Sequence, residues 1–186
     1  MKKFTLLAIM LLLLSACQKE PVADRDGRYL VHTICAKDVS FDTYVTFNIP
    51  DSLLVIGKGG KPSYSRTENA RALIRQVRVN MEKCGYIFSA ESGEADLGIR
   101  LTYVAGRGIY PSNSLKIDML DLTSPDGLTG EIVQYAGPRK DDFKVVWSSY
   151  AHGISSPSLQ YDLARLKQSI DQSFAQSPYL RSGKKE

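Results

Sequence analysis

The sequence has few of the side chains that build metal centres and nucleophilic sites. Its 186 residues include two histidines and three cysteines. It contains no Cys-x-x-Cys pair, no His-Glu-x-x-His pair and no Gly-x-Ser-x-Gly turn. These absences argue against a zinc site, a thioredoxin-like redox site and a serine hydrolase. We therefore expect no catalytic residues, no bound metal and no cofactor.

A strong charge excess and a long apolar run are also lacking. The formal net charge is +4, from 24 basic and 20 acidic residues, and no basic face for nucleic acid is evident. The main apolar stretch, Phe4 to Leu14, is shorter than the roughly 20 residues that cross a bilayer. We therefore expect neither nucleic-acid binding nor a permanent transmembrane helix.

The N-terminus has the layout of a secretory signal peptide. Lys2 and Lys3 precede the apolar stretch, and small residues follow it. The segment Leu14 to Cys17, Leu-Ser-Ala-Cys, resembles the lipobox of bacterial lipoproteins. The resemblance implies cleavage before Cys17, a diacylglyceryl thioether on its sulfur and a third acyl chain on its amine. The alternative is ordinary signal cleavage in which Cys17 takes no part.

Acylation of Cys17 would make the membrane a partner of this chain. Two or more acyl chains hold a protein stably at a bilayer, because each buried methylene contributes about 0.8 kcal/mol. Gln18 follows the cysteine. In many Gram-negative bacteria an aspartate at this position retains a lipoprotein in the inner membrane, so its absence here indicates the outer membrane. We predict a signal peptide (1–16), a lipidated tether (17–28), a single folded domain (29–180) and a disordered tail (181–186).

Two cysteines remain for the folded domain. In an oxidising periplasm, Cys35 and Cys84 could form a disulfide that closes a loop of about 50 residues and contributes about 4 kcal/mol. The sequence also leaves open that both are buried thiols, because it does not show whether they approach within bonding geometry.

Two amphipathic helices are predicted. The first covers Ser65 to Cys84, where Ser65 and Glu68 have the spacing of a capping box and Gly85 is placed to end the helix in a left-handed conformation. The second begins at Ser156-Pro157 as N-cap and first helical residue. Its apolar stripe consists of Leu159, Leu163, Leu166, Ile170 and Phe174.

Strands are predicted from β-branched residues and alternating polarity. They are Tyr29 to Lys37, Thr43 to Ile49, Ser52 to Ile56, Tyr86 to Ala90, Asp96 to Val104, Leu115 to Leu122, Glu131 to Tyr135 and Phe143 to His152. The stretch Gly57 to Ser63 lacks two required positions of a phosphate-binding loop and is interpreted as an ordinary loop. The pattern indicates an α+β fold with a largely antiparallel or mixed sheet and two amphipathic helices packed on one face.

Four ordered motifs span nearly the whole domain. They are Tyr44-Val45-Thr46-Phe47, Cys84-Gly85-Tyr86 followed by Ala95-Asp96-Leu97, Ile117-Asp118 with Asp121, and Val145-Val146-Trp147 with Ala151. Together they resemble a family of bacterial envelope lipoproteins catalogued as a domain of unknown function. The chain departs from that pattern between Asp121 and Val145, where the family has a tight hairpin turn and this sequence has a longer connection. The resemblance implies no catalytic residues.

The alternating strands place polar side chains on one face of the sheet. Arg100, Asp118, Lys144, Tyr150 and His152 fall on this face, which we interpret as solvated. His32 is interpreted as a packed histidine and Trp147 as a core residue, because their neighbours are mostly apolar.

The preferred function is that of a non-enzymatic, lipid-anchored binding or structural module that faces the periplasm and contacts an envelope protein. Its expected contact surface is the sheet face or the loops Gly106 to Ser114 and Leu122 to Asp142. The alternative is a small envelope enzyme or ligand-binding domain that uses the polar face around Asp118, Tyr150 and His152. That alternative requires these side chains to converge in a pocket of about 300 Å³ or more.

Overall fold

The computed structural model describes residues 22–23, 30–57, 59–105, 113–123, 143–154 and 163–183. Within these residues the strands are β1 (Val22–Ala23), β2 (Leu30–Cys35), β3 (Thr46–Asn48), β4 (Leu53–Ile56), β5 (Pro62–Ser65), β6 (Ile87–Phe88), β7 (Leu97–Val104), β8 (Asn113–Asp121) and β9 (Lys144–Ile154). The helices are α1 (Glu68–Lys83) and α2 (Leu163–Ala175), with short 3-10 turns at Phe41–Thr43 and Ser92–Glu94.

The strands form one mixed sheet in the order β1-β2-β9-β8-β7-β3-β6. Strands β7, β8 and β9 are antiparallel neighbours, and β2 pairs antiparallel with β9. Strands β3 and β4 both pair parallel with β7, at its two ends, and β5 pairs antiparallel with β4. The predicted α+β fold with a mixed sheet and two helices is confirmed.

Both helices contribute to one hydrophobic core. The fully buried side chains of α1 are Ala70, Leu73, Val77 and Met81, and those of α2 are Leu166 and Ile170. The predicted core residue Trp147 is 0% exposed, and its indole N–H donates to Ser177 Oγ at 3.1 Å. Full burial of a side chain of leucine size stabilises the fold by about 1.5–3 kcal/mol.

Helix α1 begins later than the capping-box spacing predicted. Its N-cap is Thr67, whose side chain accepts a hydrogen bond from the backbone N–H of Ala70 at 3.3 Å. Ser65 instead ends β5, so the predicted capping box of Ser65 and Glu68 is wrong. The predicted end of the helix is confirmed, because Gly85 follows it with a φ of 92°.

The glycine-rich stretch after β4 is part of a hairpin. Residues Leu53 and Ile56 of β4 pair with Ser65 and Pro62 of β5, so the stretch interpreted as a loop contains the start of a strand. Other predictions fall outside the described residues: the strand at 131–135, the helix start at 156–157 and the stripe residue at 159.

The end of the domain is held by hydrogen bonds beyond residue 180. The backbone N–H of Ser182 donates to the carbonyl of Cys84 at 3.0 Å, and that of Gly183 donates to the carbonyl of Tyr44 at 3.2 Å. A Cβ atom on Gly183 would overlap the carbonyl oxygen of Asp42, so this close approach requires glycine. The predicted tail boundary at 181 is therefore wrong, because residues 181–183 belong to the packed structure.

Candidate functional site

Two cross-strand rows of side chains lie on the sheet face opposite the helices. Strand pairing aligns Thr102, Lys116, Tyr150 and His32 in one row, and Arg100, Asp118, Ser148 and Ile34 in the other. Alternation in β7, β8 and β9 directs these side chains away from the helices, because the neighbouring residues form the core. The rows therefore bring together most of the polar residues that the sequence placed on one face.

Asp118 is the centre of an ion-pair network on these rows. Arg100 donates to its Oδ2 from Nη2 at 3.0 Å and from Nε at 3.2 Å. On the other oxygen, Lys116 Nζ lies 2.9 Å from Oδ1 and Ser148 Oγ donates to Oδ1 at 2.6 Å. Both carboxylate oxygens are thus engaged by positively charged or hydroxyl donors.

This network is buried, which corrects the prediction of a solvated face. Asp118 is 0% exposed, Ser148 is 1% exposed and Lys116 is 5% exposed. Burial lowers the pKa of Lys116, whereas the adjacent Asp118 carboxylate acts in the opposite direction. The alternating polarity correctly placed Asp118 on the sheet face opposite the helices, but this face is buried around Asp118, Ser148 and Lys116.

The row that contains Lys116 and Tyr150 continues into a group of aromatic rings. The rings of Tyr150 and His152 are stacked, with centroids 5.7 Å apart and planes 7° apart. The ring of His32 meets that of His152 edge-on at 5.9 Å, and Lys116 Nζ lies 5.2 Å from the Tyr150 ring centroid. Partial burial and the proximity of His32 lower the pKa of His152.

The structure therefore connects Asp118, Tyr150 and His152 through Lys116, which contacts the Asp118 carboxylate and the Tyr150 ring. Lys144, which the sequence placed beside them, pairs with Asp121 at the far end of the β8–β9 ladder. That ladder also shows that β8 and β9 are antiparallel partners, although the connection between them is longer than a tight turn.

A cavity of about 360 Å³ opens beside the rows and includes Arg100 in its wall. The other large residues that line it include Leu54, Tyr64, Leu120, Leu122 and Phe143. Asp118, Tyr150 and His152 do not line it. The cavity is large enough for a small molecule or a partner side chain, but it is not the polar pocket that the enzymatic alternative requires.

Sequence reasoning missed the aromatic residues of this cavity. Tyr64 lies in the unpredicted strand β5 and is 58% exposed. Strict alternation along β9 would place Phe143 on the same core face as Trp147, but Phe143 is 38% exposed. The register between β8 and β9 shifts between Met119 and Leu120. One extra residue in β9 at this point reverses the face to which its side chains point. No sequence signal for this bulge is apparent, since the chain there is continuously apolar.

The remaining predicted sites have mixed outcomes. Cys35 and Cys84 are half-buried thiols in the structure and are not joined in a disulfide. Burial raises the pKa of the Cys84 thiol, while Arg181 lowers it. Cys17, which is predicted to carry the lipid, lies outside the described residues, as does most of the two predicted contact loops.

Within the described residues, no group of three or more His, Cys, Asp or Glu side chains is placed to hold a metal ion. No helix in the described part of the chain has the length and apolar character needed to span a membrane.

Comparison with solved structures gives an informative likeness. No family model and no curated protein matches this chain. Among solved structures, a PelC variant dodecamer from Paraburkholderia phytofirmans is 12% identical and covers 84% of this chain and 99% of its own, but its TM-score of 0.44 is too low to inform function. A DUF4136 family protein from Bacteroides thetaiotaomicron is 27% identical over 83% of this chain and 98% of its own, with a TM-score of 0.65. This likeness supports kinship with a domain family of unknown function, as the ordered motifs indicated.

Proposed function

We propose that this chain is a lipid-anchored protein of the bacterial cell envelope and that its domain is a non-enzymatic binding module facing the periplasm. The Leu-Ser-Ala-Cys segment after a signal-type apolar run supports the anchor. Acyl chains on Cys17 would confine the domain to a membrane surface. Gln18 in place of an aspartate after the cysteine favours the outer membrane.

The non-enzymatic assignment rests on the burial of Asp118 and on the contacts that occupy its carboxylate oxygens. A general base needs a carboxylate that a substrate proton can reach within hydrogen-bond distance. Asp118 is 0% exposed, and its two oxygens already accept contacts from Arg100, Lys116 and Ser148. This arrangement suits a carboxylate that holds strands β7, β8 and β9 together.

The cavity beside Arg100 is the best candidate for partner contact. Tyr64 and Phe143 border it, and both rings are substantially exposed to solvent. Aromatic side chains that are exposed around an apolar depression are enriched at protein interfaces. We assign the cavity to an apolar side chain of an envelope protein. Its volume also suits a small apolar molecule, so ligand binding is the second candidate function.

The anchor is tested by mass spectrometry of the protein purified from its native host. A mature chain that starts at Cys17 and carries diacylglyceryl and acyl groups is expected. An unmodified Cys17, or a chain from which this residue has been removed, would contradict the proposal.

The binding role is tested by capture of envelope proteins with the wild-type chain and with a Tyr64→Ser, Phe143→Ser variant. Val79→Ser is the matched control, because Val79 is 42% exposed on helix α1. A partner lost with the double variant but kept by the control would support the cavity. Retention by both variants would exclude the cavity as the contact surface.

A further inference from the structure

The start of the folded domain lies inside the segment predicted as a tether. Strand β1 consists of Val22 and Ala23, which pair antiparallel with Val31 and Leu30 of β2. The chain is therefore held at the edge of the sheet by Val22 and Ala23. Only five residue steps separate this strand from Cys17.

The short separation limits how far the domain can move from its anchor. A fully extended chain spans at most about 3.4 Å per residue, so five steps reach about 17 Å. A tether that extended to residue 28 would reach about 40 Å by the same estimate. The pairing of β1 therefore removes more than half of the reach that the sequence predicted.

We infer that the β1–β2 edge of the sheet is held against the membrane surface, and that the phospholipid headgroup layer is the partner of this edge. The inference rests on the proposed acylation of Cys17. The domain then has a fixed orientation at the membrane and is not free to sample a distant layer of the envelope.

The orientation also identifies the part of the edge nearest to lipid. Val22 pairs with Val31 near the start of β2, and because the two strands are antiparallel, the N-terminal end of β1 points along β2 toward Cys35. Ile34 lies in that direction, three residues beyond Val31, on the face opposite the helices, and is 47% exposed. An exposed isoleucine at this position suits contact with the headgroup and upper acyl region, where apolar side chains of peripheral proteins insert.

The other end of the sheet provides a matched reference position. Ile87 in β6 is 43% exposed, and β6 is the last strand on the side opposite β1. Five strand spacings of about 4.8 Å separate β2 from β6, so the two positions are on the order of 24 Å apart. A probe at Ile87 should therefore remain farther from the membrane than a probe at Ile34.

Tryptophan fluorescence in vesicles tests this orientation. Full-length acylated Ile34→Trp and Ile87→Trp proteins are reconstituted into phospholipid vesicles that carry a quencher on the headgroup. The native Trp147 is 0% exposed and provides a common, unquenched background. We expect loss of the added fluorescence for Ile34→Trp and little loss for Ile87→Trp. Equal quenching of the two would overturn the inference.

A spacer control separates orientation from anchoring. Twelve Gly and Ser residues inserted after Gln18 should keep the Ile34→Trp protein on floated vesicles but abolish its stronger quenching. Quenching that survives the insertion would show that the short connection does not set the orientation. Protein that fails to float even without the spacer lacks the lipid, and this result would contradict the proposed anchor itself.

Discussion

Replacement of Asp118 by asparagine should destabilise the domain far more than its small change in shape suggests. The carboxylate is 0% exposed and contacts Arg100, Lys116 and Ser148 at 2.6–3.2 Å. Removing one partner of a buried ion pair typically costs about 3–5 kcal/mol, because an uncompensated charge stays behind. Asparagine keeps the volume and one acceptor, so we expect a loss of about 3 kcal/mol in the free energy of unfolding. For a chain of this size the melting temperature should fall by about 6–12 °C.

Urea unfolding followed by Trp147 fluorescence measures this loss, since Trp147 is the single tryptophan and is buried. Asp51→Asn is the matched control. Asp51 pairs with Arg66 at 3.2 Å, but its side chain is 69% exposed, so its loss should cost less than about 1 kcal/mol. Adding Lys116→Met to Asp118→Asn should recover part of the stability, because it removes an excess buried charge. A loss below about 1 kcal/mol for Asp118→Asn, equal to that of the control, would refute the structural role of the carboxylate.

Three other changes test separate parts of the structure. Thr67→Ala should lower the free energy of unfolding by about 1 kcal/mol through loss of the N-cap, whereas Ser65→Ala should cost less, and equal losses in urea unfolding would contradict the assigned cap. Gly183→Ala should displace the C-terminal segment and increase its proteolysis, whereas Gly93→Ala, with open space around its Cβ position, should not; similar cleavage of both would argue against the close contact. The pKa of His152 is lowered in the folded state, so the unfolded chain binds this proton more readily and stability should fall as the pH drops below about 6.5. His152→Gln should weaken this small pH dependence of thermal unfolding, and an unchanged profile would assign it to other groups.

The sequence was most informative where local signals and tertiary packing agree. Gly85 ends helix α1 as predicted, because a left-handed residue is needed and glycine adopts that conformation without strain. The N-cap was misplaced because Ser65 and Thr67 are both suitable caps. The choice between them depends on β5, which pairs Ser65 with Leu53. A short strand with a proline and exposed side chains carries little signal of its own.

The candidate site was predicted only in part, for reasons that concern strand register. Alternation placed Arg100 and Asp118 on one face, and the β7–β8 register then set them directly opposite each other. Burial of Asp118 depends on what covers that face, which periodicity does not encode. The position of Phe143 depends on a bulge in β9, and a single inserted residue reverses every side chain beyond it.

The position of β2 in the sheet has a consequence for the order of folding. Its partner β9 lies about 120 residues later, since Leu30 pairs with His152. Strands β7, β8 and β9, in contrast, are successive and can associate as soon as they emerge. Closing the longer loop costs more entropy, so the first long strand to be synthesised is among the last to find its neighbour. Until β9 is available, the unpaired backbone amides and carbonyls of β2 can pair aberrantly with strands of other molecules.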